Sequence, residues 1–230
     1  MTDLPRLWYS AGTNAALWGG RGTYIHVPYE HLPPLDTSRH DGTFAWLDDA
    51  PEINGLQYGF EGEDPPGADF VAARLEALTM DAKREGLLVP KSFRALLSNR
   101  ERYGRIPSCT SCYFELAARL VDVEGAPGRL LRFMNDQQCV FVWCLHLLPD
   151  KTHRVVIARP RFIDDAKGDS LEDVADIVEP STCADDFETF IHRFFLENTL
   201  WYATNKGRAL SAEERAYLDD AKKRAGQRSD

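Results

Sequence analysis

The side chains best suited to chemistry are thiols, imidazoles and carboxylates at a few places in the chain. Cys109-Thr110-Ser111-Cys112 has the spacing that brings two thiolates to one metal ion or to each other. A structural zinc site needs four ligands, and the sequence has no second CxxC. Cys144 and His146 would complete such a set if the fold brought them close, and strand alternation puts both on one face. A thioredoxin-like pair would open a helix within a βαβ pattern, which is not the pattern here. A lone CxxC favours the plainer reading, small buried thiols in a turn leading into a strand. Cys139 or Cys144 could pair with His146, His153 or His192, but no spacing selects one pair, and a thiol within an apolar strand is usually inert.

The other sets are weaker. Glu61-Gly62-Glu63-Asp64 offers adjacent acids, whereas acid–base catalysis needs carboxylates in differently desolvated surroundings; a solvated loop is the better reading. Gly19-Gly20-Arg21-Gly22-Thr23 lacks the lysine of a phosphate loop and reads as a tight turn. No G-x-S-x-G elbow is present. No catalytic residue, metal or cofactor is therefore expected. The most distinctive polar cluster is Asn135-Asp136-Gln137-Gln138. Its amides and carboxylate either offer directed hydrogen bonds to a partner or close a turn on their own backbone. Trp143 and Trp201 read as core residues, with partner anchoring at a groove rim as the alternative.

These groups need elements to hold them. In the first 67 residues, Leu7–Tyr9, Thr23–Val27 and Thr43–Leu47 are short β-like pieces between Gly- and Pro-rich turns. Asp69 to Glu85 reads as a helix with Val71, Leu75, Leu78 and Ala82 on one face and Gly86 as its stop. Pro90 opens a shorter helix carrying Phe93, Leu96 and Leu97. Strands are expected at Tyr113–Val123, Arg129–Met134, Gln138–Leu148 and Arg154–Ala158. The third is apolar on both faces and so central. Asp186–Asn205 is a long amphipathic helix behind an acidic spacer. Ser211 and Glu214 form a capping box for a final charged helix, expected to pack loosely.

Composition narrows the function. With 230 residues, 43% hydrophobic and 27% charged, the chain is long enough for a proper core and ordinary for a globular protein. A net charge of -9 argues against direct nucleic-acid binding, which needs clustered Lys and Arg. No apolar run reaches membrane-span length, and the N-terminus lacks a basic start followed by an apolar stretch, so a cytoplasmic protein is expected. Five cysteines, an odd number, favour reduced thiols over a disulfide framework. From Asp164 to Glu188 ten acids face one base, Lys167, which suits either a basic partner or a merely solvated surface. Asp164, Asp165, Asp169, Glu172, Asp173 and Asp176 are the candidate steering charges.

Three stretches carry a family resemblance. Leu88-Val89-Pro90 followed by Phe93, Leu96 and Leu97 resembles the opening of SUKH domains. Phe133 to Trp143 is similar to the strand–turn–strand of that superfamily, and Phe187 to Asn198 to its terminal helix. The match spans about residues 87–205; residues 1–67 depart from the minimal pattern, and 206–230 add a C-terminal helix. The resemblance implies one α+β domain with a mixed, mainly antiparallel sheet flanked by helices. It also implies no enzymatic activity and recognition of another protein. Bacterial members neutralise toxins and fungal members act in cell-wall signalling, so an immunity protein facing a basic toxin domain is the first expectation. A regulatory scaffold is the second. A small metal- or thiol-dependent enzyme using Cys109, Cys112, Cys144 and His146 is the third. Asp136, Gln137, Gln138 and Trp143 are the only residues carried over as binding candidates.

Overall fold

A computed structural model describes residues 4–11, 24–50, 55–59, 66–123, 126–162 and 174–226. Strands β1 (Leu7–Ala11) and β2 (Tyr24–Pro28) pair antiparallel as a separate ribbon. Helices α1 (Ala68–Arg84), α2 (Lys91–Leu97) and α3 (Arg100–Tyr103) follow. The main sheet then forms from β3 (Tyr113–Phe114), β4 (Val121–Asp122), β5 (Arg129–Asn135), β6 (Val142–Leu147), β7 (His153–Phe162) and β8 (Val174–Ala184). The chain closes with α4 (Phe187–Lys206) and α5 (Ala212–Gly226). The architecture is α+β.

The sheet runs β3-β5-β6-β7-β8, with β4 beside β3 on the same edge of β5, and every named pair is antiparallel. Residues 5–6 run along β8, where Thr182 N–H donates to the Pro5 carbonyl at 2.7 Å. At the opposite edge, Phe114 N–H donates to Gln57 O at 2.8 Å and Gly59 N–H to Phe114 O at 2.9 Å. β4 and β8 approach within 8 Å between Cα atoms, so the sheet coils strongly.

Alternation along β6 places the core. Phe141, Trp143, Leu145 and Leu147 face the main cluster with Phe133, Phe187, Phe190 and Phe194, while Val142 and Cys144 face a smaller cluster with Leu130, Val156 and Ala158. Both faces of β6 are covered, as its continuous apolar run requires. α1 buries the expected positions Val71, Leu75, Leu78 and Ala82, and Gly86 ends it at φ +77°. The Ser211 and Glu214 box forms reciprocally: Glu214 N–H donates to Ser211 Oγ at 3.1 Å, and Ser211 N–H to Glu214 Oε2 at 2.7 Å.

Four expectations are corrected. Ala45–Leu47 is a 3₁₀ turn entered through Phe44 at φ +60°, a backbone state closed to a strand. Tyr113–Val123 breaks into two short strands around Ala117-Ala118, although Glu115 and Ala117 N–H still donate to Phe133 and Arg132 carbonyls. The acidic spacer contains β8, the partner of β7. α5 is not loose: Tyr217 and Ala221 are buried against the rest of the fold.

Gly128 sits where β5 begins, at φ +100°, and a Cβ there would stand 2.2 Å from the Leu147 carbonyl oxygen. Gly128→Ala is therefore expected to destabilise by about 1–3 kcal/mol through backbone strain and clash. Urea denaturation checks it; an unchanged midpoint would show that the β5–β6 start shifts freely.

Candidate functional site

The β5–β6 connection gathers the polar cluster, and β5 sets it up from below. Arg132 and Asn135 are buried near the end of β5. Arg132 Nη1 donates to Glu115 Oε2 at 2.8 Å and to Asn135 Oδ1 at 2.9 Å, and Asn135 Nδ2 donates to the same Glu115 oxygen at 2.8 Å. A charged pair and an amide thus lock one another, which fixes the backbone where the turn starts. Asp136 then closes the turn itself. Its Oδ1 accepts from Gln138 N–H at 2.8 Å and Val140 N–H at 3.3 Å, while its carbonyl accepts from Cys139 N–H at 3.0 Å. Burial pushes the Asp136 carboxyl up, and the backbone donors pull it back. Cys139 completes the loop in the left-handed region at φ +53°.

Asp136 is 4% exposed and Trp143 3%, so neither offers itself to a partner. Asp136 is the turn's internal clamp. Trp143 lies in the core, the first of its two readings, and not at a groove rim: its ring packs at 6.5 Å from those of Tyr24, Phe190 and Phe194. Gln137, Gln138 and Val140 point outward, Val140 at 47% exposure. The sequence reading missed Val140, an apolar residue left outside at a turn, and missed the supports Arg132 and Glu115. An apolar residue immediately after a polar turn is the signal that was available. This surface offers two amides and an aliphatic group on a rigid hairpin, suited to directional binding of a peptide backbone.

The proposed acidic face is only partly placed. Asp164, Asp165, Asp169, Glu172 and Asp173 lie outside the described residues. Asp176 is on β8, paired in register with Arg161. Glu61, Glu63 and Asp64, and the Gly19–Thr23 turn, also lie outside them.

The thiols do not converge. Cys112 belongs to the main core cluster, whereas Cys144 faces the other side of the sheet. Burial pushes the Cys109 and Cys144 thiols up to about 12 and raises Cys112 too, the direction opposite to activation. Among the described residues no group of three His, Cys, Asp or Glu side chains is placed to hold a metal ion. Each imidazole of the imagined thiol pairs has a structural partner. His146 Nε2 lies 2.7 Å from the Pro127 carbonyl, His153 Nε2 accepts Phe187 N–H at the start of α4, and His192 Nε2 meets Glu213.

No family model, curated protein or solved structure matches this chain.

A second polar cluster surrounds α4, buried through most of its length. Glu197 accepts Trp8 Nε1–H at 2.9 Å, Ser10 Oγ–H at 2.8 Å and Tyr217 Oη–H at 2.7 Å. Arg193 Nη1 donates to the Tyr217 hydroxyl and to the Pro33 carbonyl, each at 3.0 Å. β1, α4, α5 and residues 32–35 are tied together here. Beside it, a groove of about 650 Å³ runs between residues 34–39 and α5, floored by Leu196 and Tyr217. Among the described residues no helix is long and apolar enough to cross a membrane.

Burial holds the pKa of His40, His146 and His153 below the ordinary histidine value. The unfolded chain then takes up these protons first. Stability from these groups is full above about pH 6.5 and is lost as pH falls through the lowered folded values. The stability of the wild-type protein relative to a His153→Gln variant, from paired urea titrations, should be constant above about pH 6.5 and fall below it; a difference that is the same at every pH would contradict the assignment.

Proposed function

We propose that this chain is a non-enzymatic protein-binding domain of SUKH type, acting as an immunity protein that occludes a bacterial toxin. The observation that supports it most is the β5–β6 turn. The Arg132–Glu115–Asn135 lock and the Asp136 clamp hold Gln137, Gln138 and Val140 outward on a covered, rigid strand pair. A preformed polar tip with one apolar contact lowers the ordering cost of binding, which suits recognition by shape. The resemblance of Leu88–Leu97, Phe133–Trp143 and Phe187–Asn198 to SUKH domains gives the reading its family. The titratable groups at the turn are occupied in holding it. The acidic run around Asp164, Asp165, Asp169, Glu172, Asp173 and Asp176 would add long-range attraction to a basic toxin cleft.

Co-expression with toxin-like products encoded nearby, scored by rescue of growth and by co-purification, tests the reading. Gln137→Ala with Gln138→Ala and Val140→Asp should weaken the captured complex by about tenfold or more while the urea midpoint stays put. Reversing the acids should slow association mainly at low salt. Rescue and binding that survive both sets of changes would remove the turn and the acidic run from the interface. Failure of every neighbouring product to bind would favour a regulatory scaffold.

A further inference from the structure

The titratable groups along the outer side of α4 form a continuous chain. His40 Nε2 and His192 Nδ1 are 3.0 Å apart, His192 Nε2 lies 2.8 Å from Glu213 Oε1, and Arg39 Nη2 donates to Glu213 Oε2 at 2.7 Å. The His192 ring, 2% exposed, packs 5.0 Å from Trp46. Glu188 accepts Gly42 N–H at 2.8 Å and Trp46 Nε1–H at 3.3 Å. Residues 39–46 are thereby fastened to α4 and α5 through histidines and carboxylates.

The hydrogen inventory of this chain is restrictive. A carboxylate only accepts, so His192 carries its hydrogen on Nε2, toward Glu213. Its Nδ1 is then a lone pair and accepts from His40 Nε2–H. One added proton is accommodated, because one ring nitrogen at the contact still has a lone pair that accepts the N–H of the other. A second proton takes up that lone pair. Two N–H groups of two cations then meet across 3.0 Å with no acceptor between them, and the contact cannot persist. His40, half-buried on the loop, is the ring free to leave; His192 is enclosed on its helix.

The surroundings set the range. From the loop, Asp36 and Arg39 face the pair, while Asp41 is turned to Thr43. From α4 and its cap come Glu188 and Asp186, and from α5 comes Glu213. Burial chiefly, then His192 and Arg39, oppose protonation of His40, whereas Glu188 and Asp186 favour it; the net shift is downward.

We infer that the His40–His192 contact is a proton-operated latch, whose double protonation releases residues 36–46 from α4 and widens the groove between them and α5. The groove is the one walled by Asp36, Arg39 and Glu213, so the same chain that holds the loop also sets its width. A titratable pair at a packed boundary is a two-state element biased by acid. This inference does not depend on the proposed immunity role.

Amide hydrogen exchange of the full chain, read by NMR together with histidine ring nitrogen shifts, tests it. After correction for intrinsic rates, protection of the Gly42 amide should fall about tenfold per pH unit for each proton taken up on opening. The β6 amides should keep theirs over the same range. His40→Gln keeps a donor toward His192 Nδ1 but takes no proton, so protection of Gly42 should become flat with pH. Equal loss in wild type and H40Q overturns the latch. So does a Gly42 amide that stays protected while both rings are doubly protonated, a reading the wild-type protein supplies even if H40Q does not fold.

Discussion

Glu197→Ala is expected to lower the unfolding free energy by about 3–5 kcal/mol, the range for breaking a buried charged network from one side. Its carboxylate accepts from the Trp8, Ser10 and Tyr217 donors at 2.9, 2.8 and 2.7 Å, and it is 2% exposed. Removing it takes the acceptor from the buried Trp8 and Tyr217 donors and leaves the buried Arg193 guanidinium without its nearby countercharge. Glu197→Gln should cost less. An amide oxygen can still accept from Trp8 and Ser10, and the Tyr217 hydroxyl can rotate to accept from the amide nitrogen. Burial raises the Glu197 carboxyl, with the Trp8, Tyr217 and Ser10 donors and then Arg193 opposing it. A group whose folded value is raised stabilises below the unfolded pKa and loses that contribution as pH rises through the folded one. E197Q should therefore flatten this part of the pH profile. Urea unfolding followed by fluorescence measures both variants, and a cost for E197A below about 1 kcal/mol would mean the network behaves as an exposed one.

That network explains what could and could not be read from the chain. α1 was legible because it has one wet side: Val71, Leu75, Leu78 and Ala82 are spaced for one face and are buried. β6 was legible for the opposite reason, since an apolar run without alternation belongs only in a covered strand. α4 was legible as a helix but not in its surroundings. Its stripe of Phe187, Phe190, Ile191 and Phe194 meets the sheet, yet Glu188, His192, Arg193 and Glu197 are buried on its other sides under β1, residues 32–46 and α5. Periodicity reports which side is apolar, and a polar residue satisfied by distant partners looks the same in sequence as a solvated one. β8 was hidden by acids, by Pro180 and by Glu179 at φ +53°, features of a strand that ends a sheet with irregular pairing. At the turn, Asp136 has the same composition whether it grips its own backbone or a partner. The supporting Glu115 lies 20 residues away from Asn135 and only the fold brings them together.

Phe133→Ala is the second large effect, expected at about 3–5 kcal/mol, as for aromatic truncation in a core that cannot collapse. The reason begins in the backbone. The β5–β6 register slips between Arg132 and Met134, so Phe133 is the extra residue of a bulge. Strict alternation would send Phe133 and Met134 to opposite faces; with the bulge both enter the main core. The Phe133 ring then stands 5.6 Å from Phe93, 6.3 Å from Phe114, 5.4 Å from Phe187 and 5.8 Å from Phe190, joining α2, β3, α4 and β5. Three of these contacts are edge-on, an arrangement that adds to plain burial. Phe133→Leu keeps most of the volume and should cost under about 1.5 kcal/mol. In thermal unfolding the alanine variant should melt roughly 6–20 °C lower for a chain of this size. The same bulge precedes Asn135 and Asp136 directly, so a collapsed β5 should also loosen the turn. Faster amide exchange at Gln138 and Val140, whose N–H groups bond Asp136, would register that coupling. An alanine variant that melts with the wild-type protein would mean the four neighbouring rings close over the space unaided, and that the bulge does not set the turn.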